Sequence, residues 1–190
     1  EKISYELTIE GAHWALNSVC ILLALKLMKI DLKSATEKLK DFQAIKGREK
    51  TQNISFEKGS FLLIDDSYNA NPTSMKAGLQ VLGQKNGRKI AILGDMLELG
   101  DFGPKYHRAL LQELLDAQVD KVYACGPLMN LLFEMLPPGM KGSWKDKSQD
   151  LLPDFLPQIE NGDVIFVKGS KGSRMGLIVY ELEALKIKEK

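Results

Sequence analysis

Residues 61–72 read FLLIDDSYNANP. Four apolar residues, Phe61 to Ile64, run without alternation into Asp65. A polar turn follows, and then Pro72, a residue suited to the first position of a helix. A strand that is apolar on both sides is one covered on both sides, as in a parallel sheet flanked by helices. The pattern repeats outward. Lys89–Leu93 precedes a helix from about Pro104, and Lys121–Cys125 one from about Leu128. A weak strand near Gly142–Trp144 precedes a helix from about Gln149, and Asp163–Val167 the last helix, from about Ser173. Upstream, Thr51–Phe56 and a Glu57-Lys58-Gly59-Ser60 turn make a hairpin with Phe61–Asp65. The expected fold over residues 47–190 is α/β, a Rossmann-like doubly wound and mostly parallel sheet. Its ligand groups belong at the carboxyl ends of the strands.

The first 46 residues read differently. Ile3–Ile9 alternates apolar and polar side chains, which predicts a short strand broken at Gly11. Ala12–Met28 is a run of good helix formers, apolar on nearly all sides, and predicts a buried helix. Ser34 with Glu37 spells a capping box opening a second helix through about Phe42. A boundary near Ala44 to Gly47 separates this strand-helix-helix piece, residues 1–46, from the α/β domain, residues 47–190.

Composition excludes several classes. With 26 basic and 25 acidic residues, a net charge of +1, the 190-residue chain has no broad field to attract a polyanion, so no nucleic-acid partner is expected. The longest apolar run, Val19–Leu25, is far short of the roughly 20 residues that span a bilayer, so no membrane insertion is expected. No basic region followed by an apolar core opens the sequence, as a secretory signal would. The opening EKISYELTIEG is expected to lie inside a longer protein. Cys20 and Cys125, distant and unpaired in spacing, suit a reducing cytoplasm, and both are expected to be buried rather than nucleophilic.

The chemistry concentrates at three strand ends: Asp65-Asp66-Ser67-Tyr68-Asn69-Ala70-Asn71-Pro72, Leu93-Gly94-Asp95 and Lys168-Gly169-Ser170. Asp66, just past a strand, is placed to accept hydrogen bonds from a vicinal diol such as a ribose. Equally, Asp66 or Asn71 could serve only as the cap of the helix opening at Pro72. Lys168 precedes a Gly-rich turn whose amides suit a carboxylate, or it is a solvated lysine closing a strand. No Gly-x-x-x-x-Gly-Lys-Ser/Thr occurs, and Lys168–Ser173 has the wrong spacing for one. No metal-ligand cluster of His, Cys and carboxylates is spelled out.

DDSYNANPTSM, followed by LGDMLELG and VKGS and preceded by GAHWALN and GRE, closely resembles the Mur ligase family, in the same order along essentially the whole chain. The branch it most resembles adds D-alanyl-D-alanine to UDP-N-acetylmuramoyl-tripeptide through an acyl phosphate formed with ATP, in peptidoglycan precursor synthesis. The resemblance implies a cytoplasmic three-domain ligase of which this chain is the carboxyl-terminal part. Residues 1–46 would be the end of the central ATPase domain and 47–190 the carboxyl-terminal domain, the piece being inactive alone. It implies that His13 and Asn17 meet the adenine, Arg48 the ATP phosphates as the catalytic cation, and Asp66 the ribose. Asn69 and Asn71 would face the phosphate and dipeptide region, and Lys168 and Ser170 would meet the dipeptide, with the Mg²⁺ ligands in the absent central domain. Trp14 stands where the family usually has Asn, and Lys46 where it has Pro. Gly94, Asp95, Glu98 and His107 also match without an assignable role. Another Mur ligase or folylpolyglutamate synthase would share the fold, but with a stretch like Asp-x-Ala-His-x-Pro in place of DSYNANP. A non-catalytic nucleotide-binding module is the remaining alternative.

Overall fold

The computed structural model describes residues 2–8, 12–41, 46–48 and 50–187, with Ala12 and His13 described by their backbone alone. The chain divides into two units, Glu1–Ala44 and Ile45–Lys190.

In the first unit, helix α1 spans Ala12–Leu27 and α2 Leu32–Leu39. Residues 2–8 form no strand, a correction to the alternating pattern: alternation fixes which side chains share a face, but a strand needs a neighbouring ladder for its amides. Ile9, Gly11 and Phe42 lie outside the described residues. α1 is also not the buried helix its composition predicts. Ser18 and Leu22 are buried, whereas Leu16 is 68% and Leu27 77% exposed, and Cys20 is exposed as well. Among the described residues its partner helix has 8 residues, too few to cover an all-round apolar cylinder. The cap of α2 is Asp31, whose carboxylate accepts from the Ser34 amide at 2.9 Å and the Lys33 amide at 3.3 Å. Ser34 is therefore inside the helix, not its cap, since Asp31 reaches the free amides first.

In the second unit, β1 (Lys50–Phe56) and β2 (Gly59–Asp66) make the expected hairpin, Phe56 opposite Gly59. Then follow α3 (Pro72–Gly83), β3 (Lys89–Gly94), α4 (Gly103–Asp116), β4 (Lys121–Cys125), α5 (Pro127–Phe133) and β5 (Lys141–Lys145). The helix expected from Gln149 is split into a 3₁₀ turn, a single α-helical turn α6 (Leu152–Phe155) and another 3₁₀ turn. Pro153 and Pro157 fall in its short pieces, and neither can donate to a continuing helix. β6 (Val164–Lys168) and α7 (Gly176–Ala184) complete the unit.

The sheet order is β1-β2-β6-β3-β4-β5, with every pair parallel except the β1–β2 hairpin. Period-2 alternation sends Ile64 and Phe166 to the face covered by Met75, Leu79 and Leu82 of α3, Leu110 and Leu114 of α4, and Met129 and Leu132 of α5. Leu63, Ile165 and Val167 go to the opposite face, under Phe155 of α6 and Ile178, Val179 and Leu182 of α7. The last strand sits between β2 and β3, so the carboxyl ends of β2, β6 and β3 lie side by side where strand order reverses, the place at which doubly wound sheets hold ligands.

Candidate functional site

At the end of β2 the alternation splits the two aspartates. Asp66 continues the Ile64 face and is the register partner of Lys168. Lys168 is only 1% exposed, and its ammonium donates to Asp66 Oδ2 and to the Asn69 carbonyl at 3.0 Å. A buried ammonium requires such partners, and here they tie β6 to the β2–α3 loop. Lys168 is thus not the solvated lysine of the alternative reading. Ser170 is buried too: its hydroxyl donates to the Ala70 carbonyl at 3.3 Å and accepts from the Leu97 amide at 2.8 Å. Of the four residues expected on the dipeptide side, Lys168 and Ser170 therefore lie beneath the loop, while Asn69 and Asn71 are exposed on it. Asn71 caps α3, its side chain accepting from the Ser74 amide at 2.8 Å while Ser74 Oγ accepts from the Asn71 amide at 3.1 Å. Of the two residues weighed as cap, the helix uses Asn71.

Asp65 takes the other face and is fully buried. Its Oδ2 accepts from the Gly47 amide at 2.8 Å, and its Oδ1 from the Ser67 hydroxyl at 2.6 Å and amide at 3.2 Å. Gly47 in turn accepts from the Tyr68 amide at 2.9 Å. The exposed Arg48 then lies with its guanidinium carbon 4.5 Å from the centre of the Tyr68 ring, a cation–π stack. The sequence reading missed both Asp65 and Tyr68. The signal available was the Asp65-Asp66 doublet, since neighbouring strand residues face opposite ways and cannot share one task.

Asp95 follows β3 and is buried. Its carboxylate accepts from the Met129 amide at 2.7 Å and the Leu128 amide at 3.3 Å, at the start of α5. Burial pushes its pKa up, against the pull of those two amides. His107, fully buried, accepts at Nε2 from the Met96 amide at 2.9 Å, so Nδ1 carries the proton and donates to the Gly103 carbonyl at 2.7 Å. Both residues hold the loop after β3 in place.

Two clefts open along this edge. One, about 540 Å³, is lined by Lys46, Gly47, Ser67, Tyr68, Lys171 and Arg174 among others. The other, about 460 Å³, is lined by Asp95, Leu97, Gly126, Lys147, Ser173 and Arg174 among others. Arg174, in the left-handed conformation at φ 53°, borders both. Lys46 and Lys171 line the first cleft, while the second carries Asp95 and Asp146 beside Lys147, so its lining is mixed in charge. Among the described residues no three His, Cys, Asp or Glu side chains gather into a group that could hold a metal ion.

Of the remaining expected residues, Asn17 and Trp14 belong to the first unit, where they line a small apolar crevice of about 70 Å³ with Leu7, Thr8, Ser18, Ile21 and Leu39. The His13 side chain lies outside the described residues. No helix among the described residues is long and apolar enough to cross a membrane.

Residues 51–171 match the family described as Mur ligase, glutamate ligase domain. The chain is 33% identical over 168 residues to the UDP-N-acetylmuramoyl-tripeptide–D-alanyl-D-alanine ligase of Rickettsia prowazekii, covering 88% of this chain and 36% of that protein. To the ligase of the same name from Bacillus subtilis it is 34% identical over 128 residues, covering 63% of this chain and 27% of that one. Among solved structures, a crystal structure of MurF from Acinetobacter baumannii superposes with a TM-score of 0.80 at 29% identity, covering 95% of this chain and 40% of that one. The chain therefore spans about a third of the length of these relatives.

Proposed function

Because the chain belongs to the Mur ligase family, we propose that it is the carboxyl-terminal portion of an ATP-dependent ligase that joins D-alanyl-D-alanine to UDP-N-acetylmuramoyl-tripeptide in the cytoplasm. The observation that carries the reading is the edge where β2, β6 and β3 end. There a cation on a short linker, Arg48, is stacked on Tyr68 of the loop that follows β2, beside a cleft lined by Lys46, Tyr68, Lys171 and Arg174. In this reading residues 1–46 end the central ATPase domain. The apolar side chains that α1 exposes support this, since an exposed apolar patch is ordinarily a partner surface.

The reaction assigned here has the dipeptide amine attack an acyl phosphate on the tripeptide, expelling phosphate. Each species carries developing or transferred negative charge at the reacting centre, and a fixed guanidinium stabilises such charge best when water is excluded. Arg48 is assigned that task. Asp66 is held by Lys168 in a fixed orientation as the ribose acceptor, and Asn17 with His13 takes the adenine. Lys168 and Ser170 serve the dipeptide side by holding the loop that presents Asn69 and Asn71. In this reading the Mg²⁺ ligands belong to the central domain.

The test joins this chain to its upstream sequence, expected to carry a Gly-Lys-Thr/Ser phosphate loop, and measures phosphate release dependent on D-alanyl-D-alanine and tripeptide. The longer protein should turn over and this chain alone should not. Arg48→Ala should lower turnover about 100- to 1,000-fold, the scale of losing one preorganised charge-stabilising donor. No dipeptide-dependent turnover in the longer protein would refute the function, and equal turnover of wild type and Arg48→Ala would remove Arg48 from it.

A further inference from the structure

We propose that Asp65 is a positioning residue for Arg48, joining the linker residue Gly47 and the loop residue Ser67 through its two carboxylate oxygens so that the guanidinium stands over Tyr68. The proposal rests on the role given to Arg48 above. Its geometry is independent of that role.

A carboxylate removed from water has to recover its hydrogen bonds from whatever the fold supplies, and a fold that supplies them is fixed in turn. Asp65 recovers them from two places separated by 20 residues of chain: Gly47 on one oxygen, Ser67 on the other. Those two places are the residues immediately before Arg48 and Tyr68. One buried side chain therefore sets the distance between the backbone carrying the cation and the backbone carrying its stacking partner. The return bond from the Tyr68 amide to the Gly47 carbonyl, 2.9 Å, closes the ring and removes rotation about it. Gly47 is itself suited to this, with φ +81°, and a Cβ there would fall 3.0 Å from Tyr68 Cβ. Lys46 adds a further tie, an ion pair of 2.9 Å to Glu183 of α7. Residues 46–48 are thus built into the Ile45–Lys190 unit, and Arg48 moves with that unit as a fixed part of it. A long side chain on a free linker would have to be ordered anew in each catalytic cycle, and this arrangement orders it beforehand.

Amide hydrogen exchange of the 190-residue chain, followed by NMR, tests the latch. The Gly47 amide should be protected in the wild type, and Asp65→Asn should raise its exchange at least about tenfold while the amides of β2 and β6 keep theirs. In the longer protein, Tyr68→Leu should lower kcat about tenfold with the dipeptide KM unchanged, and Tyr68→Phe, which keeps the ring, should restore it. Tyr68 is exposed, so these variants report even where Asp65→Asn fails to fold. Unprotected Gly47 in the wild type, unaltered exchange in Asp65→Asn, or a Tyr68→Leu enzyme with wild-type kcat overturns the proposal. A longer protein inactive with every residue intact would instead refute the ligase reading, leaving the exchange measurement to judge the latch alone.

Discussion

Replacing Lys168 by Met should be among the most costly single changes in the α/β unit, and the cost should depend on pH. The Lys168 side chain is 2% exposed and that of Asp66 11%, so the methionine fills similar volume but removes the lysine cation from a carboxylate in a site water barely reaches. Breaking a buried pair from one side costs about 3–5 kcal/mol. Protonation of Asp66 is one escape. Charging a proton onto an ordinary carboxyl of pKa near 3.9 at pH 7 costs about 4 kcal/mol, at about 1.4 per unit, and this caps the loss. At pH 5 the same step costs about 1.5 kcal/mol, so the deficit should shrink by more than half on acidification. With a urea dependence of about 2 kcal/mol per molar, the pH 7 deficit moves the midpoint by roughly 1.5–2 M. Trp144, whose indole donates to the Gly126 carbonyl at 2.9 Å, reports this unit by fluorescence once Trp14 is replaced by Phe. The double change Lys168→Met, Asp66→Asn should recover much of the loss. A Lys168→Met midpoint within about 0.5 M of wild type, unchanged between pH 5 and 7, would show the pair to be solvated and the reasoning wrong.

Three further outcomes follow from the site. Asn71→Ala removes the α3 cap and should cost about 1 kcal/mol in urea melts, with Asn71→Asp close to wild type; equal stability of the Ala variant would deny the cap its role. Burial raises the Asp95 pKa above its unfolded value, so between the two values the folded state holds more protons and the stability from this group is lost as pH rises. Relative to Asp95→Asn, the wild type should therefore gain stability as pH falls from about 7 to about 4, and a pH-independent difference would contradict the assignment. Burial pushes the Cys125 thiol up to about 12, leaving about one part in ten thousand as thiolate at pH 8, whereas Cys20 is exposed. Iodoacetamide should modify Cys20 alone until the protein is unfolded, and native labelling of Cys125 would show that its burial is transient.

Much of the sheet could be read in advance because its strands are uninterrupted apolar runs bounded by turn residues: β2, β3, β4 and β6 begin and end within a residue or two of the expected places. What failed did so for want of a partner or a neighbour. The alternation of Ile3–Ile9 predicts a face but not a ladder, and the apolar surface of α1 predicts burial but not what would cover it. The cap of α2 went to Asp31 rather than Ser34 because the two motifs overlap and local sequence does not rank them. At the site, the polar stretch announced itself, yet its division of labour did not. Whether Asp65 or Asp66 faces the linker depends on which sheet face each occupies, and whether Lys168 is solvated depends on β6 lying against β2. That adjacency joins residues about 100 positions apart and has no local signature.

The place of β6 also bears on how the unit comes into being. β2 and β3 are separated in the sheet by a strand encoded 70 or more residues after β3 begins, so neither can complete its ladder as it is made. Until Val164–Lys168 is in place, β2 and β3 each keep one edge unpaired. Assembly of such distant pieces is intrinsically slow, and a ribosome stalled before that point would hold a species with sticky, half-paired edges. Lys168, carried on that inserted strand, is the tooth that catches Asp66 and fastens the loop once β6 is in place.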